Sequence, residues 1–133
     1  MAILQCIVVT PEATVRDGPA DFVVVPLYDG ELGIAPDHAP MIGRLGCGEL
    51  RILTGDQVSR YYVEGGFVEV IGNTVSVLTG RVIPAEELDA AAAEEQLLDA
   101  QSRITTSPDA MFARDKAVAQ ARAKLRVARR SVS

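Results

Sequence analysis

Residues that could carry chemistry are few in this chain, and their spacing favours no catalytic site. His38 is the only histidine, and it follows Asp37 in a short segment bounded by Pro36 and Pro40. A histidine acts as a general base only where it reaches the proton that it takes, and no serine or cysteine nucleophile motif lies near it. We therefore expect His38 to hold this loop or to contact a partner. A small hydrolase that uses His38 is the weaker alternative.

The cysteines and the paired glycines predict neither a metal site nor an anion site. Cys6 and Cys47 lack metal-ligand spacing and lie in apolar stretches, which favours buried free thiols in a reducing compartment. Gly65 and Gly66 are not followed by a helix whose N-terminus would hold a phosphate. This pair instead predicts a bulge or a sharp strand connection. No cofactor and no metal are expected.

Composition narrows the class of protein. The 133 residues are 48% hydrophobic, which is enough for a core, and they carry a net charge of -5. A negative chain is a poor partner for nucleic acid, because phosphate binding needs a basic surface. No apolar run reaches the roughly 20 residues that cross a bilayer, and residues 1–10 lack the basic leader of a signal peptide. The expectation is a soluble, cytoplasmic protein.

The amino-acid composition changes near residue 84, and with it the type of secondary structure that the sequence predicts. All 11 glycines lie at or before Gly80, whereas the 49 residues after Pro84 contain 13 alanines. Glycine punctuates strands and turns, and alanine is the best helix former. The sequence therefore predicts an α+β protein: a β-domain at residues 1–84, followed by a helical hairpin at residues 85–133.

Alternating segments in the first half predict an antiparallel β-sandwich or flattened barrel. Seven strands are predicted, at residues 2–9, 21–25, 41–45, 49–53, 57–63, 67–71 and 74–78. Turn signals separate several of them: Asp17-Gly18-Pro19, Asp29-Gly30, Gly55-Asp56 and Gly72-Asn73.

Two antiparallel helices are predicted in the second half, with a break near residues 102–108. Acidic residues after Pro84 suit a first helical turn, and Ser107 and Pro108 suit the cap and first position of the second helix. Stripes of mostly alanine predict the contact between the helices: Ala90, Ala93, Leu97, Ala100 and Ile104 in the first, and Ala110, Ala113, Ala117, Ala121, Leu125 and Ala128 in the second. Because alanine buries little apolar area, we expect a weakly held, mobile hairpin.

The segment GELGIAPDHAP at residues 30–40 is the most unusual in the sequence. It resembles the G-x-x-G-I-x-P-x-H-A-P segment of the epsilon subunit of rotary, F-type ATP synthases. Two further blocks match in order, GELRI at residues 48–52 and YVEGGFVEV at residues 62–70. The resemblance spans essentially the whole chain, including the helical tail.

This resemblance implies a non-catalytic rotor subunit that couples proton flow to ATP synthesis. In this family the sandwich sits at the foot of the central stalk, against the gamma subunit and the ring of c subunits. The helices fold against the sandwich or extend along gamma to the catalytic beta subunits, where they inhibit ATP hydrolysis. The implied location is peripheral, at the cytoplasmic face of the inner (plasma) membrane, through the complex alone. A free-standing β-sandwich binding module is the alternative.

Seven positions are carried over as candidates for partner binding: Asp29, Glu31, His38 and Met41 in the first half, and Arg122, Lys124 and Arg126 in the last helix. Glu31 is expected at a loop tip, as a solvated carboxylate or in contact with the polar loops of the c ring. The basic residues are either a solvated helix face or the contact for an acidic segment of the beta subunits.

Some members of this family bind ATP on the hairpin, through a motif of Ile or Leu, Asp, two variable residues, Arg and Ala. Here Leu88-Asp89 is present, but Ala92 stands in place of the arginine. No basic residue occurs between Arg81 and Arg103, and residues 85–102 carry six acids. Those carboxylates would repel a polyphosphate, so we expect no ATP binding by this chain.

Overall fold

A computed structural model of the protein describes residues 3–130. The chain divides between Pro84 and Ala85 into two compact units. The first unit contains eight strands: β1 (Leu4–Val9), β2 (Thr14–Ala20), β3 (Phe22–Leu27), β4 (Gly30–Ile34), β5 (Met41–Thr54), β6 (Gln57–Ile71), β7 (Thr74–Leu78) and β8 (Val82–Pro84). The second contains a short 3-10 helix (Ala85–Glu87), α1 (Ala90–Gln101) and α2 (Pro108–Arg130).

The strands form one sheet that curls on itself, as the predicted sandwich or flattened barrel requires. The strand order is β2-β1-β7-β6-β5-β3-β4, with β8 paired to β6. Only Asp21 separates β2 from β3, yet these strands lie near opposite edges of that order. The sheet must therefore close around a core. The described pairs are antiparallel except for β1 with β7, which are parallel.

Two predicted strand breaks are wrong, because residues 41–45 and 49–53 belong to the single strand β5, and residues 57–63 and 67–71 to β6. The glycines between them bend the strands without ending them. Gly65 and Gly66 have φ of 66° and 106°, and the same pairing offset holds at Leu45↔Gly66 and Cys47↔Glu64. No extra residue is inserted, so the glycine pair is a sharp bend. There β6 changes partner from β8 to β7.

The turn predicted at Asp17-Gly18-Pro19 is also wrong, because these residues lie inside β2. This strand is at the edge of the sheet, where a proline removes no ladder hydrogen bond that the sheet needs. β4 and β8 were not predicted either. The turns at Gly55-Asp56 and Gly72-Asn73 are confirmed, and Asp29 lies in the turn between β3 and β4.

Alternating residues of the strands fill the core of the first unit. Its fully buried members include Leu4, Cys6, Val23, Val25, Ile34, Leu50, Ile52, Val63, Val68, Val70, Val75 and Val77. Each large side chain contributes roughly 1.5–3 kcal/mol by leaving water. Neither Cys6 nor Cys47 is in a disulfide bond, and burial raises the pKa of the Cys6 thiol to about 11. Cys47 is only half-buried.

In the second unit, α1 begins later than the acids of residues 86–87 suggested, because those residues form the short 3-10 helix. Asp89 caps α1, and its Oδ1 accepts hydrogen bonds from the backbone N–H groups of Ala91 and Ala92 at 2.9 and 3.3 Å. The predicted cap of α2 is confirmed, since Oγ of Ser107 accepts from the N–H of Ala110 at 3.1 Å.

The alanine seam between the helices is only partly as predicted. Ala93 and Ala100 of α1 are buried, as are Ala121, Leu125 and Ala128 of α2. Ile104 is 93% exposed and follows the end of α1, and Ala113 is also exposed. At 1.5 Å per residue, α1 is about 18 Å long and α2 about 35 Å. Because Arg129, near the end of α2, lies 3.9 Å from Glu94, near the start of α1, the extra length falls at the first turns of α2, which extend beyond the end of α1.

Candidate partner-binding surfaces

Asp29 lies in an exposed turn that is anchored to the neighbouring strand. The backbone N–H of Tyr28 donates to the carbonyl oxygen of Arg44 at 2.8 Å. The Arg44 guanidinium lies 4.7 Å from the centroid of the Tyr28 ring, which is a cation–π distance. These contacts hold the turn against β5, with Asp29 exposed.

Glu31 is not at a loop tip, contrary to expectation, but in β4, where it pairs with Pro26 of β3. The tip is formed by Tyr28 and Asp29, and Gly30 (φ 139°) leads from it into the strand. The Glu31 carboxylate, 51% exposed, lies 3.2 Å from Nη1 of Arg51. Glu31 is therefore held in place by an ion pair, with about half of its side chain open to solvent.

Arg51 also belongs to a second, buried ion pair. Its Nη1 lies 2.9 Å from Oε1 of Glu49, whose side chain is 3% exposed and also bonds Arg60. The hydrogen bond to Glu49 raises the pKa of Arg51, with the charge of Glu31 adding to the effect. The four side chains form an alternating row across β4, β5 and β6, which we call the charge ladder: Glu31, Arg51, Glu49 and Arg60.

His38 and Met41 lie at the end of the loop between β4 and β5 and at the start of β5. Nδ1–H of the half-buried His38 donates to the carbonyl oxygen of Ala39 at 2.7 Å. Met41 pairs with Val70 and packs partly against the core. The Tyr28 turn is held to Arg44, three residues along β5 from Met41, or about 10 Å. The four candidates of the first unit thus lie along one segment, residues 29–41.

The structure also shows an exposed apolar surface that the candidate residues do not include. Four large apolar side chains on β5, β6 and β7 are more than half exposed: Ile42 (74%), Phe67 (56%), Ile71 (59%) and Leu78 (51%). Phe67 lies opposite Leu78, and Ile42 lies opposite Glu69, diagonal to both Phe67 and Ile71. We call this set the outer apolar face. Its signal was available, because the alternation that buries Val68 and Val70 puts Phe67 and Ile71 on the wet side.

An open groove of about 330 Å³ continues the outer apolar face at Leu78. Val9, Thr10 and Pro11 form one wall, and Leu78, Thr79 and Gly80 form the other. Val9 pairs with Leu78 across the parallel β1–β7 contact, so the groove and the face are continuous. Monomeric proteins rarely leave large adjoining apolar side chains in water, and such patches commonly mark interfaces.

The three basic candidates of α2 do not share one face. Arg122 and Arg126 are four residues apart and both exposed, so they lie together on one side of the helix. Lys124 is about 200° away from Arg122 around the axis. It lines a groove of about 200 Å³ between α1 and α2, together with Asp99 and Arg103. The antiparallel helices are also joined by Arg129, 3.9 Å from Glu94.

Among residues 3–130, no group of histidine, cysteine and carboxylate side chains could hold a metal ion. No helix in that range is long and apolar enough to cross a membrane. The described residues present two exposed surfaces: an apolar face with charged residues beside it on the β-sandwich unit, and an arginine pair on the two-helix unit.

Known proteins are similar to this chain in sequence and in fold. Residues 3–85 match the family described as ATP synthase, Delta/Epsilon chain, beta-sandwich domain. The ATP synthase epsilon chain of Rhodopirellula baltica is 47% identical over 126 residues, covering 95% of this chain and 98% of that one. That of Symbiobacterium thermophilum is 44% identical over 105 residues, covering 78% and 76%.

Two solved structures have a similar fold. A chain of the Euglena gracilis mitochondrial ATP synthase, in an OSCP/F1/c-ring assembly, aligns with a TM-score of 0.84 at 19% identity, over 92% of this chain and 79% of that one. A chain of the Tetrahymena thermophila mitochondrial ATP synthase central stalk and c-ring aligns with a TM-score of 0.75 at 14% identity, over 94% and 96%. The protein is thus of the β-sandwich and helical-hairpin class. From the sequence matches, it belongs to the epsilon-chain family of F-type ATP synthases.

Proposed function

We propose that this chain is a non-catalytic subunit in the rotor of a proton-translocating ATP synthase. Residues 1–84 dock on the gamma subunit and the c ring, and the chain helps to couple proton flow to ATP synthesis. It lies at the cytoplasmic face of the inner (plasma) membrane, associated only through the complex. Membership of the epsilon-chain family supports this role, as does the similarity to chains of assemblies that contain a central stalk or a c-ring.

The outer apolar face is the observation that carries the proposal. Four large apolar side chains of a small, water-exposed sheet adjoin one another and an apolar groove. Covering them removes apolar area from water and favours association by roughly 25 cal/mol per Å². We assign this face to the gamma subunit. Asp29, Glu31, His38 and Met41 then form the neighbouring rim that meets the stalk and the polar loops of the c ring.

The test is the double variant Phe67→Asp with Leu78→Asp, with gamma capture by the tagged full chain as readout. Two aspartates on this face bring charge into a contact that must be desolvated, and we expect binding to gamma to weaken at least about 100-fold. Val58→Asp is the matched control, because Val58 is 54% exposed on β6 but lies at its other end. Circular dichroism checks that each variant is folded. Undiminished capture by the double variant would refute docking through this face.

For the helical unit, residues 85–133, we propose a regulatory role. When extended, α2 contacts an acidic segment of the catalytic beta subunits and inhibits ATP hydrolysis. The exposed pair Arg122 and Arg126 favours this second function, because it leaves two guanidinium groups on one helix face for an external carboxylate partner. Lys124 lies on another side and is expected to contribute less.

A further inference from the structure

The loop that presents His38, residues 35–40, is attached to the turn between β6 and β7. The backbone N–H of Asp37 donates a hydrogen bond of 2.7 Å to Oδ1 of Asn73. In return, Nδ2 of Asn73 donates to Oδ1 of Asp37 at 3.5 Å. One side-chain amide thus binds both the backbone and the carboxylate of Asp37, although 36 residues separate them in sequence.

Asp37 needs such a restraint because of its backbone conformation. Its φ is 66°, and among residues 3–130 it is the one residue other than glycine with a positive φ. Aspartate enters this left-handed region more readily than most residues, but still at a cost. A strained residue of this kind persists where the surrounding structure holds it. Here the hydrogen bond from its N–H to Asn73 supplies that hold.

Asn73 is itself fixed in the sheet. Its carbonyl oxygen accepts a hydrogen bond of 2.7 Å from the backbone N–H of Gln5 in β1. It follows Gly72, whose φ of 59° closes the two-residue turn between the paired residues Ile71 and Thr74. The anchor therefore lies in a tight turn that is hydrogen-bonded to β1, whereas residues 35–40 form a longer loop outside the strands.

We propose that Asn73 is a positioning residue for His38. By holding Asp37 in the left-handed conformation, it fixes the direction in which the chain leaves Asp37. The next residue, His38, is oriented by that direction and by its own bond to Ala39. The proposal rests on the proposed function, in which His38 contacts the central stalk. Asn73 does not touch the stalk in this scheme; it acts through the loop.

The test compares three variants of the full chain: Asn73→Ala, Asn73→Ala with Asp37→Gly, and the control Asp56→Ala in the exposed turn between β5 and β6. Amide exchange of residue 37 is measured by NMR, and affinity is measured for the rotor of gamma and c ring from the same organism. Asn73→Ala should speed exchange of the Asp37 amide at least about tenfold and weaken rotor binding about tenfold. Adding Asp37→Gly should restore most of that affinity, because glycine adopts positive φ without strain.

If Asn73 only stabilised the turn between β6 and β7, Asn73→Ala would lower the stability of the fold, and Asp37→Gly would not restore the rotor affinity. Unchanged exchange in Asn73→Ala, or an affinity loss that Asp37→Gly does not repair, would overturn the proposal. Asn73→Ser, whose side chain is too short to reach Asp37, replaces Asn73→Ala if that variant does not fold. Failure of the unaltered chain to bind the rotor would instead overturn the proposed function. The exchange measurement would then still decide whether Asn73 holds the loop.

Discussion

Arg51 joins two carboxylates that differ in exposure, and this difference sets how much each ion pair stabilises the fold. Glu31 is half exposed, whereas the Glu49 side chain is almost fully buried between Arg51 and Arg60. An exposed pair contributes about 0–1 kcal/mol. A buried carboxylate that loses one of its cations costs more, because its remaining contacts compensate less for the lost hydration.

We therefore expect Arg51→Gln to lower the free energy of unfolding by about 1–3 kcal/mol, and Glu31→Gln by less than about 1 kcal/mol. Urea unfolding followed by circular dichroism measures both. Glu31→Gln is the matched control, since it removes the exposed half of the charge ladder and leaves the buried half intact. An equal loss in the two variants would show that the buried pair has no special weight.

At the scale of elements, the bend of β6 depends on a glycine that no other residue can replace. A Cβ on Gly66 would lie 2.0 Å from the carbonyl oxygen of Leu78, and the φ of 106° is itself strained for any other residue. Gly66→Ala should lower the free energy of unfolding by about 3 kcal/mol or more. Gly18→Ala in β2 is the control, because no atom lies within 4 Å of its added Cβ. A similar, small effect of both changes would contradict this account of the bend.

The bend in β6 also shows why the sequence could predict the existence of strands better than their ends. Hydrophobic alternation identified the stretches of β5, β6 and β7, and the Ser107-Pro108 signal located the start of α2. A glycine is compatible with a turn between two strands or with a bend within one paired strand. Only the pairing partners of the strand distinguish the two. β5 and β6 were therefore divided where Gly46, Gly48, Gly65 and Gly66 occur. Edge strands such as β2, with Gly18 and Pro19, lack the apolar alternation of core strands.

The whole molecule combines sites that differ in how far the sequence could predict them. The motif at residues 30–40 made Glu31 and His38 candidates, but the contacts that restrain this segment come from Arg51 and Asn73, which are distant in sequence. Such cross-strand contacts depend on the register, which local patterns do not contain. In α2, the 100° step per residue places Arg122 with Arg126 and separates Lys124. Helical geometry alone would therefore have separated Lys124 from the pair Arg122 and Arg126.

Because Lys124 lies on another side of α2 than the arginine pair, the proposed inhibition of ATP hydrolysis, here called the brake, leads to a specific prediction. Deleting residues 108–133, or changing Arg122 and Arg126 together to alanine, should raise the ATPase activity of the assembled enzyme. Either change removes the guanidinium pair that is proposed to contact the beta subunits. A shift of about 1.4 kcal/mol in favour of the non-inhibiting state changes the ratio of inhibiting to non-inhibiting enzyme tenfold. Lys124→Ala is the matched control, because this residue faces the groove between α1 and α2. It should raise the activity less than the arginine pair does.

The dependence of ATPase activity on ionic strength tests the brake independently, in the unaltered enzyme. Exposed charges are screened beyond roughly 10 Å at 0.1 M ionic strength, so inhibition should weaken as salt rises. The activities of the unaltered enzyme and the Arg122, Arg126 variant should therefore converge at high salt. Subunit assembly, measured by gel filtration, should be the same in all variants, since docking is assigned to residues 1–84. Normal assembly with unchanged hydrolysis in both the deletion and the double variant would mean that α2 is no brake here, and that the chain only couples rotation.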